Sequence, residues 1–155
     1  MKLIQHPDKF LDKKVSDVNI VELKKQMAKL MVDSGGIGLS ANQIGLDAQV
    51  FVMGDKEDNC TMCINPQIQQ HTEEVATDIE GCLSFPNMYV KVTRPKEILA
   101  SWHDEHLVEH SVKIEGYTAK CFLHEWDHLQ GITFKDRVSK LKWDMAKKKA
   151  KKLNA

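Results

Sequence analysis

Residues 124–128 read HEWDH, two histidines four positions apart with a glutamate beside the first. Side chains at i and i+4 of an α-helix stack on one face, roughly 6 Å apart. The motif therefore asks for a helix, and for a fold that brings a further protein ligand to that helix. His124 and His128 could close on one metal ion. Glu125 would sit beside the ion without binding it, where a hydrolase needs a general base. The competing reading is a solvated helix surface that happens to carry two histidines.

A third ligand is not evident downstream. Gly131 is in register with the extended pattern HExxHxxGxxH, but Phe134 occupies its last position and cannot bind metal. No glutamate follows Glu125, and Asp136 adjoins Arg137, which suits an ion pair at the surface or at a helix end. Upstream, the cysteines are candidates. Cys60 and Cys63 form a CxxC pair, but about 60 residues separate them from His124, against roughly 12 to 15 in a zinc finger. A redox CxxC precedes a helix, whereas CTMCINPQI alternates like a strand, so both thiols are expected to pack on a strand. Cys121, three residues before His124, would compete with His128 for one arc of the helix and is expected to line the site. Cys82 follows Gly81 in EGCLSFP, and glycine permits a close backbone approach. A strand or turn there could carry the Cys82 thiolate to the helix, which leaves it a candidate at this point.

The chain of 155 residues is long enough for one self-sufficient core. We expect a single catalytic domain over 1–139 and a short basic tail over 140–155. Residues 139–155 carry seven lysines against Asp144, a charge of +6, and the remainder carries −6. With Lys+Arg and Asp+Glu both at 22, the whole chain has no net field that would announce DNA or a membrane as partner. Neither a signal peptide nor a membrane span is evident, so a cytoplasmic location is expected, with the cysteines as thiols or ligands. Ile20, Leu23, Met27, Leu30 and Met31 recur at helical spacing within 18–32, with Ser16 or Asp17 as cap and Gly35 as stop. Strands are predicted at AQVFVMG, CTMCINPQI, MYVKVT, EILASWHD and EHSVKIEGY, then a helix from Thr118 to Gly131. The fold class is α+β, antiparallel strands wrapped around a central helix that carries the HExxH motif.

Three segments in order, GGIGLSANQ (35–43), EGCLS (80–84) and HEWDH, resemble peptide deformylase. DHLQGITFKDRVS and HPDKFL extend the resemblance over most of the chain up to about Ser139. It implies that Cys82, His124 and His128 hold one divalent ion. It implies that the Gln43 amide and the Leu83 N–H donate to the substrate oxygen, and that Glu125 acts as general base and then general acid. Substrates would be N-formylmethionyl peptides and nascent chains, and one product formate. The family works best with Fe2+. Zn2+, Ni2+ or Co2+ would also suit the site in purified protein, since the ordinary affinity order favours zinc. Ser40 stands where alanine is usual and Leu123 where glutamine is common, departures that bear on pocket shape and rate. Glu80 and Arg94 resemble a pair that braces the cysteine loop.

Helical spacing adds a pocket wall, because Tyr117, Lys120, Cys121 and His124 form one stripe. With Ile37 and Leu83 they could enclose an unbranched apolar side chain, Lys120 reaching out along the rim. Ile37 and Gly38 would receive substrate backbone as an added strand, although Gly36 and Gly38 also read as plain turn residues. The lysine-rich tail is either a solvated end or a contact for ribosomal RNA. Two alternatives are another Cys-His-His metallohydrolase acting on peptides and a non-catalytic zinc module built on Cys60, Cys63 and the histidines. Gln43, Cys82 and Glu125 together argue against the module, since a structural site needs neither base nor oxyanion donor.

Overall fold

The computed structural model describes residues 20–154. The HPDKFL segment and the cap candidates Ser16 and Asp17 lie outside the described residues.

The first helix, α1 (Ile20–Asp33), buries Leu23, Met27, Ala28 and Met31 on one face. It stops at Gly35, whose φ of 76° is the left-handed conformation that glycine adopts without strain. The Gly36 N–H returns to the Met31 carbonyl and closes the end. Both methionines are fully buried core, as their spacing suggested.

Seven strands follow: β1 (Gly38–Ser40), β2 (Val50–Lys56), β3 (Asn59–His71), β4 (Val75–Cys82), β5 (Phe85–Pro95), β6 (Glu97–His103) and β7 (Glu109–Glu115). They make an antiparallel five-stranded sheet in the order β1-β2-β3-β6-β7 and a separate β4-β5 hairpin. Five of these strands match the apolar runs of the sequence. The sequence reading did not include β1 or β4, and the reason is physical. β1 has three residues, and β4 exposes nearly every side chain except Glu80, so neither bears the alternation that burial of one face imprints.

The central helix, α2 (Gly116–Leu129), begins two residues before the expected Thr118. Cys121, Phe122, Leu123, His124, Glu125, Asp127 and His128 are among its buried residues. Its end is fixed by Gly131, with φ 75° and its N–H donated to the His128 carbonyl. The apolar face, including Phe122 and Leu123, packs on Phe51, Ile98, Ala100 and Trp102 of the large sheet. Leu123 therefore points into the core, and its departure from the family pattern bears on packing rather than on the pocket. An α+β arrangement of antiparallel strands around the HExxH helix is what the structure shows.

The last helix, α3 (Lys140–Asn154), buries Trp143 and Ala150 against Phe85, Met88, Val90 and Val92 of β5 and against Phe134. Phe134 also meets the His124 ring edge-on at 5.8 Å. The basic segment thus belongs to a third core cluster, its lysines on the outer face. No helix among the described residues is long and apolar enough to cross a membrane.

Candidate metal centre

β4 and α2 bring the site together. Cys82 is the last residue of β4, just before the two-residue turn Leu83–Ser84, and it faces the buried side of α2. Its Sγ lies 3.2 Å from His128 Nε2, which lies 3.3 Å from His124 Nε2. The three ligand atoms all fall within 4.8 Å of one another, and this is the cluster of metal-ligating side chains found among the described residues. Cys60 and Cys63 are elsewhere, on β3, where burial pushes both thiols up and keeps them protonated. Cys121 is buried beside the cluster but outside it, its Sγ directed to the Ile37 carbonyl at 3.6 Å.

The residues fit a divalent ion. His124 Nδ1 is held by Glu80 at 2.8 Å, which turns Nε2 toward the cluster, the arrangement by which a carboxylate fixes the tautomer of a ligating histidine. Burial opposes charge on His124, but hydrogen bonds to Cys82 and Glu80 outweigh it and raise its pKa to about 10. His128, equally buried and facing that charge, is pushed well below the ordinary histidine range. One sulfur and two nitrogens thus converge on one point, where His124 holds a proton and His128 is kept neutral. Such a set of one thiolate and two imidazoles suits a catalytic site with room for a further ligand.

Glu80 is itself braced. Arg94 on β5 forks onto both its oxygens at 2.7 and 3.0 Å and donates to Asp127 at 2.8 Å. Burial alone would raise Glu80, but the bonds from His124 and Arg94 hold it at about 2. Asp127 takes two more bonds from Arg137, at 3.0 and 2.7 Å. This revises the expected pairing of Asp136 with Arg137, because Asp136 instead accepts the Thr133 N–H at the start of a 3-10 turn. Asp127 was not singled out from the sequence, although it lies inside the HEWDH motif.

Glu125 points into the site without a salt bridge. Burial pushes its carboxyl up to about 7, against the nearby charges of His124 and Arg94, and its Oε2 has no hydrogen-bond partner among the described residues. A buried acceptor left unpaired costs stability, and a catalytic role is one of the explanations such a group has. Gly38 runs across the other face of this carboxylate: a Cβ there would fall 2.6 Å from Glu125 Oε1. A Cβ on Gly36 would likewise fall 2.6 Å from Leu83 Cδ1. At each of these glycines a Cβ would have to displace the end of a neighbouring side chain, and the turn conformation belongs to Gly35. Gly38→Ala should therefore displace the Glu125 carboxylate and lower kcat by roughly 100-fold, the cost of a misplacement of about 1 Å, with metal retained. Parallel kcat and metal-content measurements check this.

Gln43 sits in the 3-10 turn Ala41–Ile44 after β1, fully buried. Its Nε2 donates to Ser84 Oγ at 3.0 Å and faces Cys82 Sγ at 3.6 Å. Leu83 follows the cysteine directly, and both residues line a cavity of about 590 Å³. The helical stripe Tyr117, Lys120, Cys121 and His124 forms one wall, and Ile37 and Gly38 form another. Lys120 reaches the rim, donating to Asp78 and to the Ile79 carbonyl at 3.1 Å each, with its ammonium 4.5 Å from the centre of the Tyr117 ring. The Ile37 carbonyl already accepts the Gly54 N–H at 2.9 Å, and β1 is an edge of the large sheet. The sequence reading did not find the far wall, Ile79, Met88 and Tyr89 of the β4–β5 hairpin, whose residues carry no motif.

A Cys-His-His cluster with a buried carboxylate beside it, at the base of an open cavity, defines the class: a hydrolase with a candidate metal centre. The sequence model of the polypeptide deformylase family matches residues 1–144. The peptide deformylase of Rhizorhabdus wittichii is 39% identical over 145 residues, covering 88% of this chain and 82% of its own. Peptide deformylase from Plasmodium falciparum superposes with a TM-score of 0.89 at 31% identity, covering 98% of this chain and 94% of its own. The Legionella pneumophila enzyme gives 0.89 at 31% identity, over 99% and 94%. The chain belongs to the peptide deformylase family, and peptide deformylase function follows from that membership.

Proposed function

We propose that this chain removes the formyl group from N-formylmethionyl peptides and nascent chains by metal-dependent hydrolysis, releasing formate and a free amine. The observation that carries the metal dependence is the convergence of Cys82, His124 and His128 within 4.8 Å. These three residues would hold the ion, with Fe2+ as the working metal and Zn2+, Ni2+ or Co2+ as alternatives in isolated protein. A divalent ion held there supplies Lewis acidity, which brings the pKa of a water molecule toward neutrality.

The protein's own groups account for the rest. Substrate enters the cavity with its backbone along the edge formed by Ile37 and Gly38. Its methionine side chain lies against the wall of Tyr117, Cys121 and Leu83. Attack of water on the formyl carbon places charge on the formyl oxygen, where the Gln43 Nε2–H and the Leu83 N–H donate, each worth a few kcal/mol. Glu125, with its carboxyl raised to about 7, takes the proton from the water and returns it to the departing nitrogen as the C–N bond breaks. A group poised near neutral pH suits both halves of that transfer.

Formate release from formyl-Met-Ala-Ser by protein loaded anaerobically with ferrous iron tests this reading. Release of formate, with none from the acetylated peptide, supports it. Release of larger fragments from unformylated peptides would instead indicate a general peptidase.

We further propose that activity is cytoplasmic and that the outer face of α3 contacts ribosomal RNA. Lys147, Lys148 and Lys151 are exposed there, while Ala150 packs inward. Replacing these lysines by glutamate is thus a cleaner test than truncation, which would uncover the third core cluster. Ribosome co-sedimentation should fall with the substitution and with added salt, and unchanged binding would refute the contact.

A further inference from the structure

Gln43 is held from behind by a residue with no role assigned so far. The Ser40 N–H donates to Gln43 Oε1 at 2.9 Å, and a backbone donor cannot reverse. This fixes the amide so that Nε2 faces Cys82 and Ser84. The Ser40 hydroxyl lies 2.9 Å from the same Oε1 and 2.7 Å from Asn42 Oδ1. Asn42 is fixed in turn by donation to the His128 carbonyl at 2.5 Å. Ser40, Asn42, Gln43 and Ser84 are all buried, at most 1% exposed. The hydroxyl has one hydrogen and two acceptors, in a place sealed from water.

We propose that Ser40 is a positioning residue for the reaction, its hydroxyl tuning Gln43 as a donor to the developing oxyanion. The inference rests on the deformylase reading above. Amide resonance links the two ends of the Gln43 group. Donation to Oε1 draws density from nitrogen and strengthens the Nε2–H as a donor, the cooperative effect known for hydrogen-bond chains in low dielectric. As charge grows on the substrate oxygen, Oε1 becomes the better acceptor and the Ser40 proton turns to it from Asn42. The hydroxyl therefore stabilises the transition state more than the bound substrate, which places its effect in kcat.

The test compares Ser40→Ala and Ser40→Thr with the parent, alone and combined with Gln43→Ala. Ser40→Ala should lower kcat about fivefold, a fraction of the 10²–10³ for removing an oxyanion donor outright, with KM within twofold and metal content unchanged. Ser40→Thr, which keeps the hydroxyl, should recover the rate. In the Gln43→Ala background Ser40→Ala should cost nothing more. Independently of activity, the Gln43 side-chain amide proton resonances of zinc-loaded protein should move upfield in Ser40→Ala and return in Ser40→Thr. An unchanged kcat, an equal loss in the Gln43→Ala background, or a loss that disappears only with Asn42→Ala would each overturn the proposal. A parent that forms no formate would fail the deformylase reading instead, and the resonance shift would still decide whether Ser40 polarises Gln43.

Discussion

Glu125→Ala is expected to lower kcat for formate release by about 10³-fold, in the range for loss of a positioned acid–base group, while the metal stays bound. Two features separate this from a folding defect. The carboxylate takes no part in the Glu80–Arg94–Asp127 network, so its removal leaves those charges paired. Its Oε2 is buried without a partner among the described residues, so the wild-type fold bears a desolvation cost that the alanine relieves. The variant should therefore melt no lower than the parent, and KM should change little because the cavity walls are intact. Loss of metal on Glu125→Ala would show instead that this carboxylate is a ligand. Steady-state kinetics, metal analysis and a thermal melt on one preparation resolve the cases.

What could be read from the sequence follows from where each constraint is written. The HEWDH helix was legible because 3.6-residue periodicity and ligand spacing coincide on it: the face that binds is also buried. Met27 and Met31 were legible as core for the same reason. β5 announced itself through Met88, Val90 and Val92, alternate residues on its buried face. Its partner β4 did not, because it is stabilised by the hairpin and buries little beyond Glu80. That strand nevertheless delivers Cys82. Spacing alone left Cys82 one candidate among several, since the contact between the hairpin and α2 is tertiary. The resemblance to a family supplied it, and the geometry then brought it to the histidines. Two of the three glycines of GGIGL show a further limit: a Cβ at Gly36 or Gly38 would have to push aside side chains 47 and 87 positions away, Leu83 and Glu125, a constraint with no local signature.

Cys82→Ser should lower affinity for the divalent ion more than about 100-fold, beyond the 10–100-fold typical of losing a residue that merely orients a ligand. A hydroxyl is a poorer ligand than a thiolate for zinc or ferrous iron, and here it would replace one of only three protein donors. The substitution is otherwise mild. Cys82 is only partly buried at the tip of the hairpin, and the turn is anchored by Ser84, which accepts from Gln43, and by Phe85, which packs on Phe134 and Trp143. The metal-free variant should therefore melt with the metal-free parent, and the loss should appear as a smaller stabilisation by added metal, because an ion that binds only the folded chain raises its stability in proportion to affinity. Cys60→Ser supplies the contrast. That thiol stands on β3 packed against the α1 cluster, so metal affinity should not change. The opposite pattern, metal lost with Cys60 and kept without Cys82, would move the ion to the CxxC pair, and Glu125 and Gln43 would then face a site that does no chemistry.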